Sequence, residues 1–369
     1  MIERLYIDNF RTFQNFEWKP GAVALVMGRN GTGKSTLFEV LHLLQALICG
    51  EQPVGEMFPS TSLVRWEKRT SQQLELDVRS EAGSFRYRIT IEQGKNRGDG
   101  RISLETLHLD DTPLFSFKAG QIQLFDDSGK SGPEFAGNSK KSGLGIVVPG
   151  PTNQRLTWFK QWLGRLLVLR PDPFLMTGLT PSENSFLWPH ASNFANWYRY
   201  VLQEHGGKVY RAMEALGKVL DGFQDLSIRV DEQRTGWLRA NFLDPNGKGY
   251  TLQFDELSEG QRVLILLYIA LFTQMDGQRT IAFDEPDNFV SLDEIQPFLM
   301  EMLDKALDGT GPQCFIASHH PEYLNQLAPS HGHVLFRERG GQTRIRLFEA
   351  NEALSASEIV ARGGLSRIP

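Results

Sequence analysis

Gly28-Arg29-Asn30-Gly31-Thr32-Gly33-Lys34-Ser35 decides how this chain is read. Before it stands Ala22-Val23-Ala24-Leu25-Val26-Met27, an apolar run suited to a buried strand, and after it Thr36 to Leu44 carries apolar residues at helical spacing. Strand, glycine loop and helix in that order are the context the pattern needs. Gly28, Gly31 and Gly33 let the backbone turn its N–H groups inward around phosphate oxygens, so the run from Gly28 through Arg29, Asn30 and Thr32 to Thr36 is assigned to a bound nucleotide. Lys34 supplies a point charge, Ser35 a hydroxyl for Mg²⁺, and the helix start its dipole. These residue types predict a site for ATP with Mg²⁺.

Thr280-Ile281-Ala282-Phe283 is a second apolar strand, and it ends in Asp284-Glu285. At such a strand end Asp284 can hold Mg²⁺, directly or through water, and Glu285 can orient and deprotonate an attacking water. Taken alone, the pair reads as a solvated acidic turn. Beside a phosphate loop it reads as the metal carboxylate and water-positioning group that phosphoryl transfer needs. Cys314-Phe315-Ile316-Ala317-Ser318-His319 is a further strand ending in histidine, whose imidazole can contact a γ-phosphate or the attacking water. One helix, about Leu292 to Leu307, separates the two strands, which predicts that they lie side by side in a parallel sheet.

Leu257-Ser258-Glu259-Gly260-Gln261-Arg262 lies between the loop and the acidic strand. By itself it is an ordinary helix start, with serine as N-cap and an acid in the first turn. Together with the other segments it says more. The chain resembles the ABC-type ATPases of the SMC, RecF and OLD group, especially the compact, stand-alone bacterial "AAA family" or RecF-like proteins. The resemblance rests on the opening Ile2 to Phe16, with its Asn9-Phe10-Arg11-Thr12-Phe13, on Asn30-Gly31-Thr32-Gly33-Lys34-Ser35, on Leu257 to Arg262 as the signature, and on His319 as the switch histidine. These motifs bracket nearly the whole chain, and its middle carries no match.

The resemblance implies an α/β fold: a P-loop NTPase with an ABC-ATPase head, a mixed central sheet, an antiparallel β lobe and a helical insertion. It also implies a mechanism that needs two chains. In that group ATP is sandwiched between the phosphate loop of one subunit and the signature of the other. Here Ser258 would donate its hydroxyl, and Gly260 and Gln261 would open a helix facing the γ-phosphate. One chain carries one of each half, so a homodimer about a two-fold axis is expected. After Pro286 the segment to Asp293 is longer than the usual E-P-x-x-x-L-D loop, which leaves the subunit-crossing aspartate unassigned. Gln121, Gln123 and Gln154 compete as the glutamine that reports the γ-phosphate, and Arg11 is either near the nucleotide or an exposed strand arginine.

With 369 residues, 40% of them hydrophobic, and a formal net charge of −5, the chain can bury a substantial core and is not a polybasic binder. Its two cysteines, Cys49 and Cys314, sit in apolar settings, which argues against disulfides or a cysteine zinc site and for a reducing, cytoplasmic location. No apolar run approaches the ~20 residues that span a bilayer, and an acidic Glu3 in an immediate strand is unlike a signal peptide. The organisation expected is a first ATPase lobe with the phosphate loop over 1–92, an insertion or helical subdomain over 93–225, and a second lobe with signature, acidic strand and histidine over 226–369. Residues 73–78 and 85–91 alternate like antiparallel strands. Segments 94–100 and 126–145 read as loops, and 155–169 and 193–223 as helices whose Trp158, Trp162, Trp188 and Trp197 are assigned to core packing over base or partner binding. Strands over 226–230, 237–243 and 250–254 lead back to the signature, with Asp244-Pro245-Asn246-Gly247-Lys248 as a hairpin turn.

Coiled-coil heptads and a Cys-x-x-Cys hook are absent, and about 50 residues after His319 are too few for a fused nuclease of normal domain size. Arg337, Arg339, Arg344 and Arg346 alternate along the tail, as a basic face for DNA or, diluted by Glu338 and Glu349, as a solvated edge strand. Two functions stand: an ATP-hydrolysing switch in DNA repair, DNA sensing or antiviral defence with a separate effector protein, and a slow-turnover regulatory or scaffold module. Glu285 favours the first, since a pure binding module needs no base. A transporter subunit is disfavoured by the opening strand and the insertion.

Overall fold

The computed structural model describes the whole chain apart from residues 95–97, 233, 234, 276, 278, 308–310, 338, 352 and 367–369. Part of the 94–100 segment, and Glu338, therefore lie outside the described residues. The chain forms two compact units, Met1–Leu166 with Asn325–Pro369, and Leu167–Leu324.

The first unit opens with β1 (Ile2–Asp8), β2 (Phe16–Trp18), β3 (Val23–Gly28), α1 (Lys34–Cys49) and the single turn α2 (Val54–Met57). Next come β4 (Ser71–Ser80), β5 (Gly83–Glu92), β6 (Arg101–Leu109), β7 (Thr112–Lys118), β8 (Gln121–Phe125), β9 (Ser131–Ala136) and α3 (Gln154–Gly164). An eight-stranded sheet in the order β2-β1-β4-β5-β6-β7-β8-β9 is antiparallel at every pairing. Along β5, Phe85, Tyr87, Ile89 and Ile91 are buried while Arg86 and Arg88 between them are exposed, the alternation of a strand with one covered face.

This sheet continues past residue 92. Strands β6 to β8 extend it, so 101–125 belongs to the antiparallel layer and not to a helical insertion starting at 93. β9 lies inside the 126–145 segment read as loop. It is exposed along its whole length at the sheet edge, and without a buried face it has no apolar alternation to betray it.

α1 buries Leu37, Phe38, Leu41 and Leu44, and its Gln45 is almost wholly enclosed. Gln45 Nε2 donates to the carbonyls of Leu163 (3.0 Å), Gly164 (3.2 Å) and Leu166 (2.6 Å). A helix end leaves its last carbonyls without intrahelical donors. Gln45 reaches the last two carbonyls of α3, of which Leu163 O also accepts from Leu166 N (3.1 Å), and the Leu166 carbonyl just beyond it, and so ties α1 to the end of α3.

The second unit contains β10 (Leu167–Leu169), β11 (Leu179–Thr180), α4 (Phe194–Glu204), α5 (Gly206–Leu216), β12 (Phe223–Val230), β13 (Gly236–Leu243), β14 (Gly249–Gln253), α6 (Glu259–Gln274), β15 (Thr280–Asp284), α7 (Leu292–Leu307) and β16 (Gln313–Ala317). β10, β15 and β16 run parallel, with Asp284 opposite Ala317. All their residues are buried, which is why they read as unbroken apolar runs. β10 falls at the end of the 155–169 stretch read as helix, because three apolar residues carry no period that separates strand from helix. β11 to β14 form an antiparallel sheet around β13, and the expected hairpin joins β13 to β14. α6 is buried from Val263 to Leu271 without a polar face, as befits a core helix. Trp162 and Trp197 are buried, whereas Trp188 is exposed.

α8 (Pro321–His331) carries the chain back to the first unit, where β17 (Gly332–Arg337) pairs parallel with β3 and antiparallel with β18 (Thr343–Leu347), ahead of α9 (Ala356–Ala361). Arg344 donates to Gln14 O (3.2 Å) and Arg346 to Gly364 O (3.4 Å), so these two side chains are tied to backbone and do not form an open basic row. Cys49 and Cys314 are free thiols. Among the described residues no helix is long and apolar enough to cross a membrane.

Gln45→Ala would take the side-chain donor from the carbonyls of Gly164 and the buried Leu166, and stability should fall by roughly 1–3 kcal/mol. A denaturant unfolding curve measures it; an unchanged midpoint would show that water or a local shift replaces the amide.

Candidate nucleotide site

The glycine loop joins β3 to α1 within the first unit. A Cβ on Gly28 would fall 2.5 Å from Thr32 Oγ1 and 2.6 Å from the Leu335 carbonyl, so only glycine lets the loop pass this close to β17. Gly33 caps α1 in the left-handed region, φ 103°, and a Cβ there would meet the Phe13 ring at 2.9 Å. α1 starts with no side-chain cap and no acid in its first turn. α4 and α5 start in the same way, so it is the glycine loop ahead of α1, with its left-handed Gly31 and Gly33, that suits this helix start to an anion. Lys34 is buried and its Nζ donates to Gly28 O at 2.9 Å, folding the cation over the loop. Ser35 and Thr36 occupy the first turn.

The loop is braced from outside its own motif. Thr32 Oγ1 donates to Arg29 O (2.8 Å), Thr343 Oγ1 donates to Thr32 O (2.8 Å), and Arg337 Nη1 reaches Gly31 O (3.3 Å). Arg337 also donates to the carbonyls of Gly340 and Gly341, which clamps the β17–β18 turn to the loop. Arg29, Asn30, Gly31 and Thr32 form one wall of a cavity of about 320 Å³ whose other wall includes Leu335, Phe336 and Leu365. The opening motif is now legible in detail. Asn9, fully buried, donates to Arg69 O and Ser71 O and accepts from Val64 N, while Arg11 pairs with Glu39 at 2.5 Å and lies 3.4 Å from Thr36 Oγ1. Arg11 therefore stands at the first turns of α1. Gln123 spends its amide on Leu124 O and Gly132 O, Gln121 is exposed on β8, and Gln154 opens α3.

The acidic pair, the histidine and the signature belong to the second unit. Asp284 closes β15, is almost wholly buried, and has Arg170 Nε at 3.6 Å. Glu285 follows in the left-handed conformation at φ 53°, which costs a residue with a side chain roughly 1–2 kcal/mol. Two bonds hold it there: its N–H donates to Ala317 O (2.7 Å), and Asn288 Nδ2 donates to its carboxylate (2.8 Å). His319 is exposed two residues beyond the end of β16, so the parallel pair presents Asp284, Glu285 and His319 from the same strand ends.

Leu257 is buried and Ser258 is the N-cap of α6, accepting from Gln261 N at 3.3 Å while Gln261 Oε1 accepts from Ser258 N at 3.0 Å. The local reading of this segment as a helix start is thus realised in full. Gly260 packs against the turn after Glu285: a Cβ would lie 2.8 Å from Phe289 O. Arg262 Nη1 donates to Pro173 O (2.8 Å), a link across 89 positions that the signature motif gave no hint of. Asp293 is exposed in the first turn of α7.

Residues 165–325 match the family described as "AAA domain, putative AbiEii toxin, Type IV TA system". These bounds coincide within two residues with the second unit, which holds signature, acidic strand and histidine. The Smc head domain with an extended coiled coil bound to the C-terminal domain of ScpA, from Pyrococcus furiosus, shares 11% identity over 98% of both chains with a TM-score of 0.56. The chain has the fold of an SMC/RecF-like ABC-type ATPase. An SMC head domain from Thermotoga maritima, 13% identical over 95% of this chain and 99% of its own, superposes with a TM-score of 0.45, too low to add weight. Comparison with curated protein sequences gives no match. The ABC-type fold places both motif sets on one chain, and the family match independently covers the half that a phosphate loop cannot diagnose.

Glycine takes the left-handed region freely. Glu285→Gly should therefore be more stable than Glu285→Ala by about 1 kcal/mol, read as a higher unfolding midpoint. If alanine is equal or better, Glu285 is not strained.

Proposed function

We propose that the chain binds MgATP on Gly28–Thr36 and hydrolyses it in a sandwich of two copies, working as an ATP-driven switch on a separate effector. Glu285 carries the reading. A strained, tethered carboxylate beside a buried aspartate persists only where surrounding structure enforces it, and such strain gathers at working sites. A water-orienting base next to a metal carboxylate accounts for it.

The donors fit the ligands. Ser35 offers a hydroxyl and Asp284 a carboxylate, the oxygen donors that Mg²⁺ takes, and the ion would supply positive charge to the β- and γ-phosphates. Lys34 adds a second positive charge, the open start of α1 receives phosphate oxygens, and Glu285 takes the proton of the attacking water while His319 reaches the γ-phosphate. Ser258 serves in the partner copy's site. Its Oγ accepts from Gln261 N, yet a hydroxyl keeps its own proton to donate, so capping and phosphate binding are compatible.

A role in DNA repair, DNA sensing or antiviral defence agrees with a small cytoplasmic ATPase head whose family description names a toxin system. The slow-turnover scaffold reading is weakened by Glu285, because a module that only binds gains nothing from a strained base.

Lys34→Ala should abolish binding of a labelled ATP analogue while the protein stays folded; retained affinity would remove the loop from the site. Glu285→Gln should keep ATP binding and lose roughly 10²-fold or more in turnover, the loss expected for a positioned base. Wild-type turnover in that variant would move the base elsewhere.

A further inference from the structure

Glu285 has one carboxylate oxygen tied and the other open. Asn288 Nδ2 donates to its Oε2 at 2.8 Å, and among the described residues Oε1 has no hydrogen-bond or ion-pair partner. One bonded oxygen fixes the rotation of the carboxylate, while the other keeps its lone pairs for the proton of a water.

The local sequence explains why Asn288 takes this part. Pro286 follows Glu285, has no N–H to donate, and biases the residue before it toward extended backbone, yet Glu285 sits at φ 53°. Support from the following turn therefore comes from beyond the proline. Asn288 gives it twice: its backbone N–H donates to the Glu285 carbonyl at 3.2 Å, and its side-chain amide to the carboxylate. One residue closes the turn and orients the side chain at its head.

The kind of donor matters as much as its place. An amide is neutral, so it holds Glu285 without the ion pair that a lysine or arginine would form, and the carboxylate keeps its charge for proton abstraction. The Asn288 side chain is also exposed, and a bond this open to water exchanges with solvent at little net cost to folding. Its loss should be felt in the reaction and not in the fold. The same turn has a second contact to separate from the first, because a Cβ on Gly260 of the signature would lie 2.8 Å from the carbonyl of Phe289, the next residue.

We infer that Asn288 is a positioning residue for hydrolysis, pinning Oε2 of Glu285 so that Oε1 is presented to the attacking water. The inference rests on the proposed role of Glu285 as the base, and it adds the residue that sets that base.

Steady-state MgATP hydrolysis by the full chain reads it. Asn288→Ala should lower kcat by roughly tenfold, the loss of one hydrogen bond to a charged group, with KM for ATP and the unfolding midpoint unchanged. Asn288→Asp, of the same size but without a side-chain donor, should lose at least as much. The decisive comparison is made in the Glu285→Gln background, where Asn288→Ala should lower the residual single-turnover rate no further, because it acts only through the carboxylate. A further tenfold loss there would assign Asn288 to the support of the signature and overturn the inference, leaving the base in place. Wild-type kcat in Asn288→Ala or Asn288→Asp would overturn it equally. Wild-type turnover in Glu285→Gln alone would remove the base, and the inference with it.

Discussion

On the proposed reading a polyphosphate is met by N–H groups at the glycine loop, and the first unit holds that loop in one conformation. α6 and α9 start with a serine capping box, and α4 and α5, like α1, start with neither side-chain cap nor acid, but among these helices only α1 starts on a left-handed glycine. Leaving a helix start open forgoes the roughly 1 kcal/mol that a side-chain cap contributes. The loop must then be held by other means. Thr343 and Arg337 grip its carbonyls, Phe13 lies against Gly33, and the Leu335 carbonyl lies so close to Gly28 that no side chain fits. The donors are fixed before any ligand arrives.

The second unit faces a different constraint. On the hydrolytic reading proposed above, an attacking water must be held at a set place, and a flexible glutamate at a loop tip could not do so. Placing Glu285 directly after a fully buried parallel strand, in an unfavourable conformation, replaces side-chain freedom with backbone geometry. The bond from Glu285 N to Ala317 O couples that geometry to β16, the strand that leads to His319. The turn that follows then packs on Gly260, so acid, histidine strand and signature form one connected body within this unit.

Much of this was legible in the sequence because it is local. The strand before Gly28, the helix Leu292–Leu307, the paired parallel strands and the β13–β14 hairpin follow from period and turn chemistry. What was not legible depends on partners far along the chain. β9 has no buried face and β10 is too short to show a period, so the antiparallel layer was cut short at 92 and a helix was run to 169. Arg337, read as part of a basic face or a solvated edge strand, is a clamp on Gly31, and Gln45 and Asn288 bear no motif at all. Their roles exist only once α3, the turn after Glu285 and the signature helix have been brought together with them.

The central claim is that each site is completed by a second copy, and mixing two inactive variants tests it most directly. Lys34→Ala lacks the loop cation and Ser258→Arg lacks a usable signature, so in a mixed dimer one composite site carries both lesions and the other carries neither. Steady-state ATP hydrolysis by the mixture should recover part of the wild-type rate, although each variant alone is inactive. No recovery, with both proteins folded and shown to exchange subunits, would contradict the composite site and point to one completed within a single chain.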